Sequence, residues 1–494
     1  MGIPGFVLEG GPFGKTAIFR VWELKRDVGG NIVEYVVGII LLISFFGLAY
    51  YCIKGHNLMI GFLLITLLWT ILPLGGTLFV SKAFLEANPV LQFGKDNTLI
   101  SALNKIYQSA PEGWGTTLVN VCWGAWFGRV LMDTGIASTL IRKTVELGGD
   151  KPFVTVALLN IVTALIFTAM TGAGPVIAIG VIVLPILMSL GIPKPIALFS
   201  FMGAVAAGIY LNPVNFAQYR AFYMTPDKMP DFTLGWYAAH WGYAALLIML
   251  VATTLLSAIY LKRSKTVHAW AAQTRGAAEQ KNAPFYTLIL PIVPVVLKIW
   301  LDFSVIGGFV IAGFLALFLC GRMHGSFKEN CQLVNKLYYD GVVDTAPLVG
   351  FLLTLPMFNQ VATYASPYFK VILGNVMPRS ELVVCIVFAV LLFMGLFRGP
   401  MTLVGCGAAT LGVLSNVASF SIPFLYAVFV IPTITVNIGS CITQSWVAWG
   451  LAYTKVESKD FLKLSIPNAY LAGVVQYVAT FILLGGLGAA WFLS

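Results

Sequence analysis

Long apolar runs, broken by glycine, proline and short polar connectors, make up most of the chain. The runs at 33–53, 58–80, 238–261, 304–320, 380–397 and 467–491 have the length at which a helix crosses a hydrocarbon core about 30 Å thick. The alternation of polar and apolar positions that a membrane barrel needs is absent. In lipid the backbone polar groups must then be satisfied within helices. The pattern predicts an all-α polytopic membrane protein with about ten or more crossing elements.

The connectors divide the chain. Residues 1–32 set Lys15, Arg20, Lys25 and Arg26 beside Phe13, Ile18, Val21, Trp22 and Leu24, which suits an amphipathic segment lying in the membrane interface. No cleavable signal pattern is visible there, so the first span is expected to act as an uncleaved insertion signal. Residues 33–113 read as two scaffold spans and a polar connector. The stretch 114–220 is apolar but interrupted, and 221–261 holds a clean span. The loop 262–283 carries Lys262, Arg263, Lys265, Arg275 and Lys281 against Glu279, and reads as a basic cytoplasmic linker between two halves. Spans at 286–301 and 304–320 fall within 284–341. A second interrupted stretch occupies 342–455, and 456–494 holds the last span.

The two interrupted stretches are similar. Each carries a Gly-Pro break (Gly174-Pro175 and Gly399-Pro400), then an Ile-Pro pair (Ile192-Pro193 and Ile422-Pro423), then an asparagine-containing break. Aligning Pro175 with Pro400 sets Asn212 opposite Asn437, although the Ile-Pro pairs need a further shift. The pattern predicts two repeats of inverted topology, with the transported solute bound where their broken helices meet.

Glycine and proline are costly inside a helix, and backbone groups freed in lipid cost several kcal/mol each, so such breaks persist where they line a wet cavity or are buried in protein. A break also exposes the positive N-terminal end of one half-helix, which suits a carboxylate, and the carbonyls of another, which suit Na+. The candidate substrate-binding residues are therefore Thr171, Gly172 and Gly174; Asn212 and Asn215; Arg398, Gly399 and Thr402; and Asn437, Ser440, Thr443 and Gln444. Arg398 ends an apolar run directly before Gly-Pro. A guanidinium at membrane depth is a functional candidate, and its fork matches a carboxylate. Asn212, Asn437 and Asp344 are the candidates for a coupling ion. Arg129 and Asp133, four apart on one helix face, are expected to pair with each other. Lys298 and Asp302 are expected at a helix end, and Tyr219 and Arg220 near the mouth of the site.

Composition narrows the classes. The chain of 494 residues is 59% hydrophobic and 10% charged, against about 25% charged in soluble domains, and its mean hydropathy is +0.87. Its surface must largely face lipid. The net charge of +10 would raise nucleic acid as a partner in a soluble chain. Here the basic residues sit in connectors, and no nucleic-acid partner is expected. Seven scattered cysteines without a CxxC pair read as small buried hydrophobes. No Walker A, G-x-S-x-G, HExxH or Cys/His cluster is present. The expectation is therefore a protein that is not an enzyme and holds no metal or cofactor. The best-supported function is a secondary active transporter for a small organic anion. A cation/proton antiporter is the alternative, disfavoured because acidic residues are scarce in the breaks, and a channel is a third.

These breaks resemble those of the ion transporter superfamily of citrate, gluconate, lactate and C4-dicarboxylate carriers. The resemblance rests on Val181-Ile-Val-Leu-Pro-Ile-Leu-Met-Ser-Leu-Gly191, on Gly203 to Asn215, and on the second repeat, about 220 residues in all. The Ser-Asn-Thr signature of some sodium/dicarboxylate members is not present as such. The resemblance implies a homodimer with a scaffold domain and a transport domain carrying re-entrant hairpins and broken helices. It also implies elevator motion, coupling to Na+ or H+, and location in a bacterial inner membrane.

Overall fold

The computed structural model describes residues 32–48, 50, 51, 54, 56–92, 99–149, 151–223, 231–264, 282–374, 378–405, 407–417 and 420–485, and among these no strand occurs. Nearly all of the interfacial segment 1–32 and most of the linker 262–283 lie outside the described residues. Among the described residues, Met59–Gly76, Leu234–Arg263, Leu348–Leu373 and Ser458–Leu484 are long and apolar enough to cross a membrane, and two bent pairs raise that number to six. The protein is an all-helical membrane protein.

Several spans differ from expectation: among the described residues the runs 33–53 and 304–320 are the shorter apolar helices Ile32–Leu48 and Val305–Leu319, below crossing length. The run 380–397 is not straight: Glu381–Val390 and Leu392–Arg398 meet at 63°. The run 286–301 is a short 3-10 turn, Phe285–Ile289, followed by a nine-residue helix, Val293–Leu301. At 1.5 Å per residue that helix covers roughly 14 Å, too little to cross. Conversely, Leu348–Leu373 is a span inside one continuous 47-residue helix, Phe327–Leu373, so the boundary expected between 341 and 342 falls within a helix. Pro347, Pro356 and Pro367 make this segment read as interrupted. Its start is a capping box in which Ser326 and Glu329 exchange hydrogen bonds, and the Ser326 amide and hydroxyl hold the Glu329 carboxyl below its ordinary range.

Two groups of helices can be followed from their packing. Around Phe327–Leu373 lie Leu58–Gly76 and Gly115–Asp133. Phe358 meets Phe62 and Trp69 with ring centroids 4.9 and 5.1 Å apart, and the Tyr368 hydroxyl donates to the Pro73 carbonyl at 3.0 Å. Gly341 sits against the backbone of Ala125 and Trp126, the close crossing that small residues permit in membranes. The second group surrounds Lys194–Ile209, every residue of which is buried from Ile196 onward. Pro152–Phe167, Tyr243–Arg263, Ala173–Ser189 and Ser458–Leu484 pack on it. Ile422–Ile431, continued by the π-helical Pro432–Ile438, is likewise buried from Pro423 onward. Helices apolar on every side belong in a core.

These two buried helices are tied together. The Tyr210 hydroxyl lies 2.7 Å from the Thr435 hydroxyl, both donate to the Gln476 side-chain Oε1, and the Gln476 Nε2 donates to the Ala245 carbonyl at 3.0 Å. Gly208 is what lets Lys194–Ile209 approach Pro152–Phe167: a Cβ there would collide with the Ala164 carbonyl. Gly208→Leu is expected to abolish the folded protein, read as loss of the monodisperse peak in detergent. A normal peak would show that the helices can separate.

Cys122, Cys320, Cys331, Cys385 and Cys441 are free thiols, and Cys52 and Cys406 lie outside the described residues. Cys385 and Cys441 are buried as expected, whereas Cys331 is exposed on the polar first turns of the long helix.

Candidate functional site

A cavity of about 600 Å³ is lined by residues from all four interruptions and from the helices that begin at Leu58 and Phe327. The first interruption joins Pro152–Phe167 to Ala173–Ser189. Gly172, at φ +97° and ψ 171°, occupies backbone space open essentially to glycine alone, and Thr171 and Gly172 line the cavity.

At the second interruption Lys194–Ile209 turns by 69° into Pro213–Ala221. Asn212 caps the second piece. Its Oδ1 accepts from the amides of Val214 (3.0 Å) and Asn215 (3.2 Å), and its Nδ2 donates to the carbonyls of Phe167 and Met170, each at 3.1 Å. These four bonds use the whole capacity of an amide side chain. Asn212 is fully buried and does not line the cavity. It ties the first hairpin to the broken helix and has no bond left for a solute or ion. Asn215 does line the cavity. Its Nδ2 donates to the Tyr219 hydroxyl at 3.2 Å, and its buried Oδ1 has no partner.

The third interruption is strained. Phe397 and Arg398 both take left-handed backbone, at φ +54° and +56°, which costs about 1–3 kcal/mol for each non-glycine residue. The Phe397 amide donates to the Cys441 sulfur at 3.1 Å. The strained turn delivers Arg398 to the cavity wall, where Nη1 donates to the Val404 carbonyl (3.3 Å) and Nη2 to the Gln444 Oε1 (3.2 Å). Gly399 and Thr402 do not line the cavity. A Cβ on Gly399 would collide with the Met394 carbonyl, and the buried Thr402 hydroxyl donates to the Gly395 carbonyl at 2.8 Å. Both residues shape the hairpin tip.

At the fourth interruption Thr443, Gln444, Ser445 and Trp446 line the cavity. The N-cap of Ser445–Thr454 is Gln444, so the position that Asn212 occupies at its break belongs here to Gln444 and not to Asn437. Asn437 is buried behind it, and its Oδ1 accepts from the Gln444 Nε2. The chain Arg398, Gln444, Asn437 thus runs from the cavity inward. Ser440 faces away, its hydroxyl donating to the Ser465 carbonyl at 3.3 Å. Asn437→Ala removes the anchor of Gln444. It is expected to raise the apparent KM roughly 2- to 10-fold, the effect of one net hydrogen bond, checked by uptake kinetics.

No protein-family model matches the chain, and no curated protein matches it. The functional reading therefore rests on the geometry.

The ion pairs differ from expectation. Arg129 does not pair with Asp133. It donates from Nε and Nη2 to the Asp344 carboxylate at 2.6 and 2.5 Å. Asp133 accepts instead from Arg322, at 2.7 and 2.9 Å. The two residues do share a helix face, yet each finds a two-pronged partner across a helix contact, which is the stronger geometry. Lys298 and Asp302 close a helix end at 2.6 Å. Asp344 lines the cavity beside Gly174, whose own Cβ would overlap that carboxylate, so Gly174 makes room for it and does not itself line the cavity.

Tyr219 lines the cavity and Arg220 does not. Gln218, Thr345, Asn57 and Trp446 are lining residues that the sequence reading missed. Gln218 was within reach of it, since residues three apart share a helix face with Asn215; the other three converge only in the fold. Met59, Leu348, Val404 and Ile438 supply an apolar side. Such a mixed wall suits a small organic molecule. Among the described residues no group of three His, Cys, Asp or Glu side chains could hold a metal ion.

Proposed function

We propose that the protein is a secondary active transporter of a small organic anion, a carboxylate, driven by Na+ or H+. The observation that carries this reading is a single cavity walled by four helix interruptions, with the Arg398 guanidinium in its wall. Several features support it. Each half of the chain has a helical hairpin, then a helix bent or broken at its middle, then a long span: Pro152–Ser189, Lys194–Ala221 and Leu234–Arg263 in the first, Glu381–Val417, Ile422–Thr454 and Ser458–Leu484 in the second. Two repeats, inverted in the membrane, with the solute at their junction, account for that order. The cavity lies between the hairpin-bearing group and the helices around Phe327–Leu373, the place where a transport domain would slide against a scaffold in an elevator mechanism. A homodimer in the bacterial inner membrane fits the same reading. A cation/proton antiporter needs an acid free to exchange its proton for a metal ion, and the cavity's carboxylate, Asp344, is held by Arg129.

Uptake of labelled carboxylates into proteoliposomes, with and without an imposed Na+ or H+ gradient, tests the proposal. Gradient-dependent accumulation is the expected result. A thermal-shift panel of mono-, di- and tricarboxylates identifies which acid to label, and a folded protein that responds to none would overturn the anion reading.

A further inference from the structure

We propose that the Arg129–Asp344 pair sets the charge number of the solute, and that Asp344 is the specificity-determining residue that confines the cavity to monovalent carboxylates. The inference rests on reading the cavity as an organic-anion site. Among the described residues that line it, the charged side chains are Arg398 and Asp344, and these cancel. Arg129, bound to Asp344 through two nitrogens, adds one positive charge. The wall, together with the Arg129 guanidinium bound behind it, thus carries a single net positive charge. A bound monoanion leaves the site neutral. A bound dianion leaves one negative charge uncompensated in a partly buried wall, which is unfavourable.

The position of Asp344 strengthens the argument. Its carboxylate packs against Gly174 in the first turn of Ala173–Ser189, a helix whose start has no side-chain cap. A helix N-terminus is where a second carboxylate of the solute would be held best. Here the protein's own carboxylate occupies that space, fixed by two hydrogen bonds to Arg129. A third feature points the same way. The Asn215 Oδ1, buried, unpartnered and part of the cavity's lining residue, accepts a proton donor and repels a second carboxylate.

Matched acids of equal carbon number test this on the purified protein: butyrate against succinate, and hexanoate against adipate, by equilibrium binding. The wild type is expected to bind the monocarboxylate at least tenfold more tightly. As pH falls through a range in which butyrate stays ionised, succinate should gain affinity in proportion to its singly protonated fraction while butyrate does not. Asp344→Asn raises the wall to +2, and the preference should invert. Arg129→Gln lowers it to zero and should weaken both acids. The double variant Arg129→Gln/Asp344→Asn returns it to +1 and should restore the wild-type preference. An equal preference in the wild type and Asp344→Asn, or tighter binding of fully ionised succinate by the wild type, would overturn the proposal while leaving the anion reading intact. Should Asp344→Asn fail to fold because Arg129 is stranded, the Arg129→Gln result and the wild-type pH series decide. Folded protein that binds no carboxylate at all removes the anion reading and this proposal together.

Discussion

Arg398→Ala is expected to reduce carboxylate uptake by about 30-fold or more, the consequence of losing a partly buried charge partner worth at least 2 kcal/mol. The side chain lies in the wall of the cavity and its two terminal nitrogens hold Val404 and Gln444. Removing it therefore takes away both the counter-charge and the arrangement of the neighbouring amide. Arg398→Lys keeps the charge but loses the planar fork, so an intermediate defect is expected. The backbone offers a control for folding. Arg398 sits at φ +56°, where any side chain is strained and glycine is not. Arg398→Gly should therefore fold at least as well as Arg398→Ala and be equally inactive. Initial rates in proteoliposomes, with a monodisperse detergent peak as the folding check, measure this. Unchanged uptake in either folded variant would remove the reason for choosing an anion.

The second large effect is expected at Asn212, and on stability before transport. Asn212→Ala loses a helix cap worth about 1 kcal/mol and leaves the carbonyls of Phe167 and Met170 without the donor they have now. Each buried orphan costs roughly 1–3 kcal/mol. The unfolding midpoint in detergent should fall by several degrees, and uptake should fall with it. Asn212→Asp separates the roles. It keeps the two accepted bonds but turns a carboxylate oxygen toward two carbonyls, so it should be at least as damaging as alanine. A raised apparent KM with an unchanged midpoint would instead mean that Asn212 touches the solute.

Asn212 and Asn437 illustrate how a correct local observation can mislead about role. Both stand at glycine- and proline-marked breaks, and their common offset from Pro175 and Pro400 suggests equivalent binding residues. In the fold, Asn212 spends all four hydrogen bonds on the backbone, and the N-cap position at the fourth interruption is held by Gln444, whose side chain makes no capping bond. Side-chain valence is used up by neighbours that are distant in sequence, and no local pattern records that. The prolines of Phe327–Leu373 mislead in the opposite direction. They read locally as interruptions, yet Phe327–Leu373 is one continuous helix that packs along Leu58–Gly76 and Gly115–Asp133.

What the chain determines by itself is what depends on short segments. Apolar length selects membrane helices, since the cost of an unsatisfied peptide group in lipid acts on every residue alike. Glycine and proline mark the breaks at Gly172, Pro213 and Gly399, since their backbone preferences are intrinsic. The tertiary structure alone decided which charges meet. Arg129 finds Asp344 across 215 positions of sequence, and Asp133 finds Arg322 across 189. Those pairings follow from which helix faces touch, and ion-pair energies depend on distances and burial that only packing creates.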